Sequence, residues 1–306
     1  FFKTATTPSI ELSRILSELT PDGIDKFFYG SSGSESNDTL VRLVRRYWDI
    51  LGKKNKKTFI SRTYAYHGST MASASLGGMQ AMHNQGDLPL PGFIHAMPPY
   101  KYKFGPEMDE NEFCNFAVKE VEDLIIKTGP ENIAAFIGEP IQGAGGVIVP
   151  PDNYWRLIQD LCIKYDILLC IDEVICGFGR TGNLWGCETY NIDPDIIIAS
   201  KCLTAGFFPM GAVIIKKSLA EEFMDISEKE EEFPHGFTAG GHPVGCAIAL
   251  KAIDVIINEG LLENVKSVSP YFHERLNEFN TYEHIGETRG IGLMAALEMV
   301  KDKKTK

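Results

Sequence analysis

The stretch Ile167-Leu168-Leu169-Cys170-Ile171-Asp172-Glu173 decides how this chain is read. A short apolar run ending abruptly in two carboxylates is too brief for a buried helix and reads as a strand covered on both faces. Asp195-Ile196-Ile197-Ile198-Ala199-Ser200-Lys201 repeats the pattern but ends in a lysine. Lys26–Gly30, Thr58–Ser61, Phe93–Met97, Ile133–Gly138 and Gly211–Ile215 are further short runs bounded by turn residues. Between them, Ser34–Leu51 places Leu40, Val41, Val44, Tyr47 and Trp48 at helical spacing. Helices are also expected from about Ser69, over Glu110–Lys127, and over Asp152–Tyr165, where Pro150-Pro151 marks the start. Such alternation predicts an α/β fold: βαβ units, a largely parallel sheet and helices on both faces. From about Val244 the pattern changes to two long helices, a glycine-rich turn and a strand at Leu293–Met299. A large domain over 1–243 and the beginning of a smaller α+β C-terminal domain over 244–306 are therefore expected.

The 306 residues carry 30 basic and 41 acidic side chains, a formal charge of −11. The only basic cluster, Lys53-Lys54-Asn55-Lys56-Lys57, is expected on a solvated loop. Nucleic acid is excluded as a partner, because binding its phosphates requires concentrated positive charge. Seven cysteines, an odd number without a C-x-x-C pair, predict free thiols in a reducing, cytoplasmic compartment. No apolar run reaches membrane-spanning length. His83 and His95 lack partners at metal-ligand spacing, so no metal site is expected. The chain opens Phe1-Phe2-Lys3 without a methionine or a signal-peptide pattern, and reads as an internal piece of a longer protein.

Ligands of open parallel sheets sit beyond the carboxyl ends of the strands, so the residues just after each run are those to inspect. Ser31-Ser32-Gly33-Ser34 turns a strand into a helix. Its N–H groups suit a phosphate, or it is simply a capped helix start with Ser34 as the cap. Asp172 at the mouth of an apolar strand needs a cation: a magnesium ion, as in an ATPase, an arginine, or a protonated ring nitrogen. Alternatively, Asp172 caps a helix beside a solvated Glu173. Lys201, at the same edge, is either an idle surface lysine or an amine that condenses with a carbonyl.

Taken together the chain resembles the class III (omega-) aminotransferases, of the pyridoxal-phosphate-dependent transferase fold type I. The resemblance rests on Ser31-Ser32-Gly33-Ser34-Glu35-Ser36-Asn37-Asp38, Tyr66-His67-Gly68, Glu139-Pro140-Ile141-Gln142-Gly143-Ala144-Gly145-Gly146, Asp172 to Gly182, Ser200-Lys201 and His235-Gly236-Phe237-Thr238, in matching order and spacing. It implies a three-layer α/β/α large domain around a mostly parallel seven-stranded sheet. It implies further that Lys201 holds pyridoxal 5'-phosphate covalently and moves the protons, and that Asp172 pairs with the pyridine nitrogen. Val174 would pack under the ring and Tyr66 on its other face, while Ser32, Gly33 and Ser34 hold the phosphate. Glu139 would stand near the cofactor, and His67 beside Tyr66 would pack or hydrogen-bond there rather than act as a base. Thr238 would reach the phosphate of a neighbouring subunit, giving a homodimer with shared active sites and room for tetramers.

Ala144 stands where ornithine-using relatives carry a glutamate, and Phe1-Phe2 matches an aromatic pair lining the substrate pocket of the amine:pyruvate branch. Val44–Trp48 and Gly77–Ala81 look most like putrescine- and polyamine:pyruvate enzymes. The expected activity is ping-pong transfer of an amino group from a primary amine, diamine or omega-amino acid to a 2-oxo acid, pyruvate. The arginine that would hold the acceptor carboxylate is expected beyond Lys306. Rival readings are another reaction of the same fold (racemase, aminomutase or decarboxylase), a magnesium ATPase, and a non-catalytic relic. Cys202 after the lysine, and Gly240, depart from the family pattern.

Overall fold

The computed structural model describes residues 4–230 and 234–305, with the backbone alone for 224–230. Seven strands form one sheet: β1 (Ile24–Gly30), β2 (Thr58–Arg62), β3 (Phe93–Ala96), β4 (Ile133–Gly138), β5 (Leu168–Asp172), β6 (Ile196–Ala199) and β7 (Gly211–Lys216). Their order is β1-β7-β6-β5-β4-β2-β3, and only β7 runs antiparallel to its neighbours. The expected mostly parallel seven-stranded sheet is thus present.

Every residue of β4, β5 and β6 is buried, which is why these segments read as unbroken apolar runs. Successive residues alternate between two cores. Leu169, Ile171, Ile197 and Ala199 pack on one face with Phe113, Val121, Trp155 and Ile158. Leu168, Cys170, Ile196 and Ile198 pack on the other with Leu40, Val44 and Trp48. Helices Glu110–Thr128 and Tyr154–Lys164 cover the first face, and Gly33–Ile50 covers the second. After Pro243–Asn258 and Leu261–Asn277, β8 (Ile285–Ile291) and β9 (Met294–Met299) form a separate antiparallel hairpin.

Some expectations fail locally. Helices Thr7–Leu19 and Lys217–Glu230 and strand β8 were not foreseen. Lys56 is not on a solvated loop. It is 4% exposed, donates to the carbonyls of Ile133 (3.2 Å) and Asp166, and lies 4.5 Å over the Trp48 ring. Carbonyls and an aromatic face replace the water that a buried ammonium would lose.

Candidate active site

The carboxyl ends of β1, β2, β4, β5 and β6 deliver Gly30, Arg62, Gly138, Asp172 and Ala199 to one rim of the sheet. Asp172 pairs in register with Ile198, so Lys201 follows three positions later on the adjacent strand's exit. The exit of β1 joins the same place: a Cβ on Gly33 would lie 3.1 Å from Val174 and 3.6 Å from the Ser200 Cβ.

At the turn after β1 the cap is Ser32, not Ser34. Ser32 Oγ accepts from the Glu35 N–H at 3.1 Å, while the Glu35 carboxylate accepts from the Ser31 N–H at 2.6 Å. Ser34 instead turns its Oγ to the Ser69 N–H at 3.1 Å, because Gly33 and Ser34 already lie inside the helix. The N–H groups of Gly33 and Ser34 meet no acceptor among the described residues, leaving two donors at the positive end of an 18-residue helix. Gly68, at φ +135°, lets the chain pass close: a Cβ there would sit 2.6 Å from Ser34 Oγ and 2.4 Å from Ser73 Oγ.

Asp172 is 2% exposed. Its Oδ1 accepts from the Val174 N–H at 3.0 Å, and its Oδ2 faces Asn37 Nδ2 at 3.0 Å and His67 Nδ1 at 2.8 Å. Asn37 also donates to the His67 carbonyl at 2.7 Å, tying the helix after β1 to the loop after β2. No lysine or arginine among the described residues pairs with this buried carboxylate. A protonated ring nitrogen is the cation such an environment calls for.

Glu139 is 2% exposed, and burial, with the charge of Asp172, pushes its carboxyl up despite His67 and two N–H donors. Those donors are Tyr66 N–H (3.2 Å) and Gly143 N–H (2.9 Å), so Glu139 bolts the Tyr66 segment to the glycine-rich loop after β4. Tyr66 is half-buried with its hydroxyl 3.0 Å from Ser69 Oγ, and Val174 is half-buried beside Gly33. Glu173 is buried, not solvated. It accepts from Gly186 N–H (2.9 Å) and Cys187 N–H (2.6 Å), and burial pushes it to about 7.

Lys201 is exposed and held at φ +41°, a left-handed conformation that non-glycine residues adopt only under constraint. Ser200 Oγ donates to the Met210 carbonyl at 2.7 Å, and the Gly206 N–H donates to the Lys201 carbonyl at 3.2 Å. Arg180 Nη2 faces Cys202 Sγ at 3.7 Å.

The remaining expected residues are more scattered. Ala144 is exposed in the loop after β4. Thr238 is exposed in a turn packed on β1, with no hydrogen bond among the described residues. Phe1 and Phe2 lie outside the described residues. His83 and His95 bond to carbonyls, and the described residues hold no group of side chains suited to a metal. Two contributors escaped the sequence: Asn37 as a partner of Asp172, and Glu35 as the brace of the turn. The S-x-x-E spacing of Ser32 and Glu35 was the available signal for the second.

One sheet edge thus gathers an aspartate buried without a lysine or arginine partner, two helix-start N–H donors open to an anion, and a lysine held in a left-handed conformation. A model of the class-III aminotransferase family matches residues 1–306, and the chain belongs to that family. The putrescine–pyruvate aminotransferase of Pseudomonas aeruginosa is 48% identical over 307 residues, covering 100% of this chain and 66% of that protein. The chloroplastic gamma aminobutyrate transaminase 3 of Solanum lycopersicum is 46% identical over 305 residues, covering 99% and 59%. A crystal structure of a PLP-bound aminotransferase mutant from Vibrio fluvialis superposes with TM-score 0.95 at 49% identity, covering 100% of this chain and 68% of that one. The chain therefore spans less than two thirds of the first curated relatives it matches. Pyridoxal phosphate is the cofactor of the family, and the rim fits it: donors for a phosphate at Gly33 and Ser34, and an acid for the ring nitrogen at Asp172. Membership also disposes of the ATPase reading.

Proposed function

We propose that this chain is the cofactor-binding part of an enzyme that moves an amino group from a primary amine, a putrescine-like diamine or an omega-amino acid to pyruvate in two half-reactions. The observation that carries it is that Asp172 ends β5 in register with Ile198, three residues before Lys201 on the exit of the neighbouring strand. Bound there, pyridoxal phosphate supplies an aldehyde that condenses with amines and a ring that stores the electron pair released from the substrate carbon.

The chain's own residues do the rest. Ser32, Gly33 and Ser34 bind the phosphate, Asp172 holds a proton on the ring nitrogen, and His67 and Asn37 keep that carboxylate turned inward. Val174 and Tyr66 enclose the ring, with Tyr66 anchored through Glu139. Lys201 would hold the cofactor through its amine, and the same amine, when free, would carry a proton to and from the substrate carbon. Ala144, in place of a carboxylate, leaves the donor side neutral and favours simple amines and diamines.

Thr238 completes the phosphate site of a second copy, making a homodimer with shared sites that can pair into tetramers. The proposal also places the domain boundary at 243/244 and the protein in the cytoplasm, where its seven free thiols stay reduced. No helix of the described residues is long and apolar enough to cross a membrane.

The test uses the complete gene product loaded with cofactor and given an amine without pyruvate. About one carbonyl product released per site, followed by alanine when pyruvate is added, supports the proposal. A racemised or rearranged amine with no carbonyl released refutes it in favour of another reaction of this fold.

A further inference from the structure

Arg289, on β8, lies outside the rim yet grips it. Its Nε and Nη2 both donate to the Gly146 carbonyl, at 2.8 and 2.6 Å. Nη2 also meets Glu298 at 2.7 Å and Nη1 meets Glu287 at 3.1 Å. Its guanidinium carbon lies 4.7 Å over the Tyr100 ring, and the Tyr100 hydroxyl donates to the same Glu298 oxygen. The Arg289 side chain is 11% exposed, and nearly all its donors are spent, so it is not a spare cation awaiting a substrate carboxylate.

Gly146 is the last glycine of the loop that starts at Glu139. The loop is tight: Gly146 and Val147 N–H groups both donate to the Gly143 carbonyl, at 3.1 and 3.0 Å. Gly143 is itself bonded to Glu139, which holds Tyr66. A Cβ on Gly146, at φ +114°, would lie 3.0 Å from Arg289 Nη2, so the missing side chain is what admits the guanidinium. A continuous chain of polar contacts therefore runs from the β8–β9 hairpin through Arg289 and the loop to the residue set to cover the cofactor ring.

We propose that Arg289 is a positioning residue that fixes the backbone of the Gly143–Val147 loop, and with it the wall carrying Ala144, so that the amine-binding pocket is shaped from the C-terminal hairpin. The inference rests on the functional reading above. Lysine cannot replace it, because a point-charge ammonium cannot make the twin bonds to one carbonyl while meeting Glu298 and Glu287.

The experiment compares wild type, Arg289→Lys and the milder Tyr100→Phe in the full-length, cofactor-loaded enzyme. Two readouts are taken: amide hydrogen exchange over Gly143–Ile148, and KM, kcat and cofactor affinity with putrescine and pyruvate. Expected for Arg289→Lys is at least tenfold faster exchange in that loop, with KM for the amine up about tenfold. Cofactor affinity and kcat should stay within about threefold of wild type, and Tyr100→Phe should show smaller changes in the same direction. Unchanged loop exchange overturns the proposal. So does a loss of cofactor affinity in step with KM, which marks a merely structural role. A wild-type enzyme that releases no carbonyl product from any amine would fail the functional reading instead, and the exchange result would still judge Arg289.

Discussion

His67 Nδ1 and Asp172 Oδ2 stand 2.8 Å apart, with side chains 0% and 3% exposed, so each is the other's closest polar company in a dry part of the rim. Asn37 shares the same carboxylate oxygen at 3.0 Å. The aspartate is therefore aimed by two side chains that do not belong to its own strand.

Replacing His67 by alanine removes one of those bonds while leaving Asn37 and the Val174 N–H in place. A hydrogen bond to a charged group contributes roughly 1.5–3 kcal/mol. Cofactor affinity in His67→Ala should fall about 10- to 100-fold, read by titrating apoenzyme with pyridoxal phosphate. Unaltered affinity would show that Asp172 needs no such support.

Gly68→Ala should harm the phosphate side of the site. A Cβ there meets two serine oxygens well inside contact distance, on a backbone that side chains rarely adopt. Overpacking and backbone strain of this kind cost about 1–3 kcal/mol each. Ser34 must shift to admit the methyl, so weaker cofactor retention during dialysis is expected alongside a lower Tm. Full retention with a lowered Tm would place Gly68 outside the cofactor site.

Much of this was legible because strands buried on both faces must be apolar throughout. β4, β5 and β6 announce themselves, and the charged residue ending a run is conspicuous. What escaped depended on distant partners. Strand β8 carries Glu287, Thr288, Arg289 and Gly290, a polar sequence whose pairing with β9 replaces the missing apolar signal. Lys56 looked solvated because its carbonyl partners, Ile133 and Asp166, come from remote segments. Ser34 was mistaken for the cap because Ser32 and Ser34 are chemically alike and only backbone geometry separates them. Asn37 gives no local hint that it will meet Asp172, which lies 135 positions away.

Glu173 supplies a prediction about pH. Burial raises its carboxyl from 4.5 to about 7. Between those values the folded protein keeps a proton that the unfolded chain has released, so the folded state is favoured less and less as pH rises through the window. The loss levels off above about 7, and amounts to roughly 3 kcal/mol from 1.36 kcal/mol per unit. Glu173→Gln cannot titrate, so its Tm should vary less between pH 4.5 and 7 than that of wild type. Parallel Tm curves for the two proteins would refute the account of this residue.

Lys201 is proposed as the amine that holds the cofactor opposite Asp172. The direct measurement is borohydride reduction of the cofactor-loaded full-length protein, followed by peptide mapping. The account predicts a stable pyridoxyl label on Lys201, absent from Lys201→Ala. A label on any other lysine, or none on a protein that retains its cofactor, would contradict it.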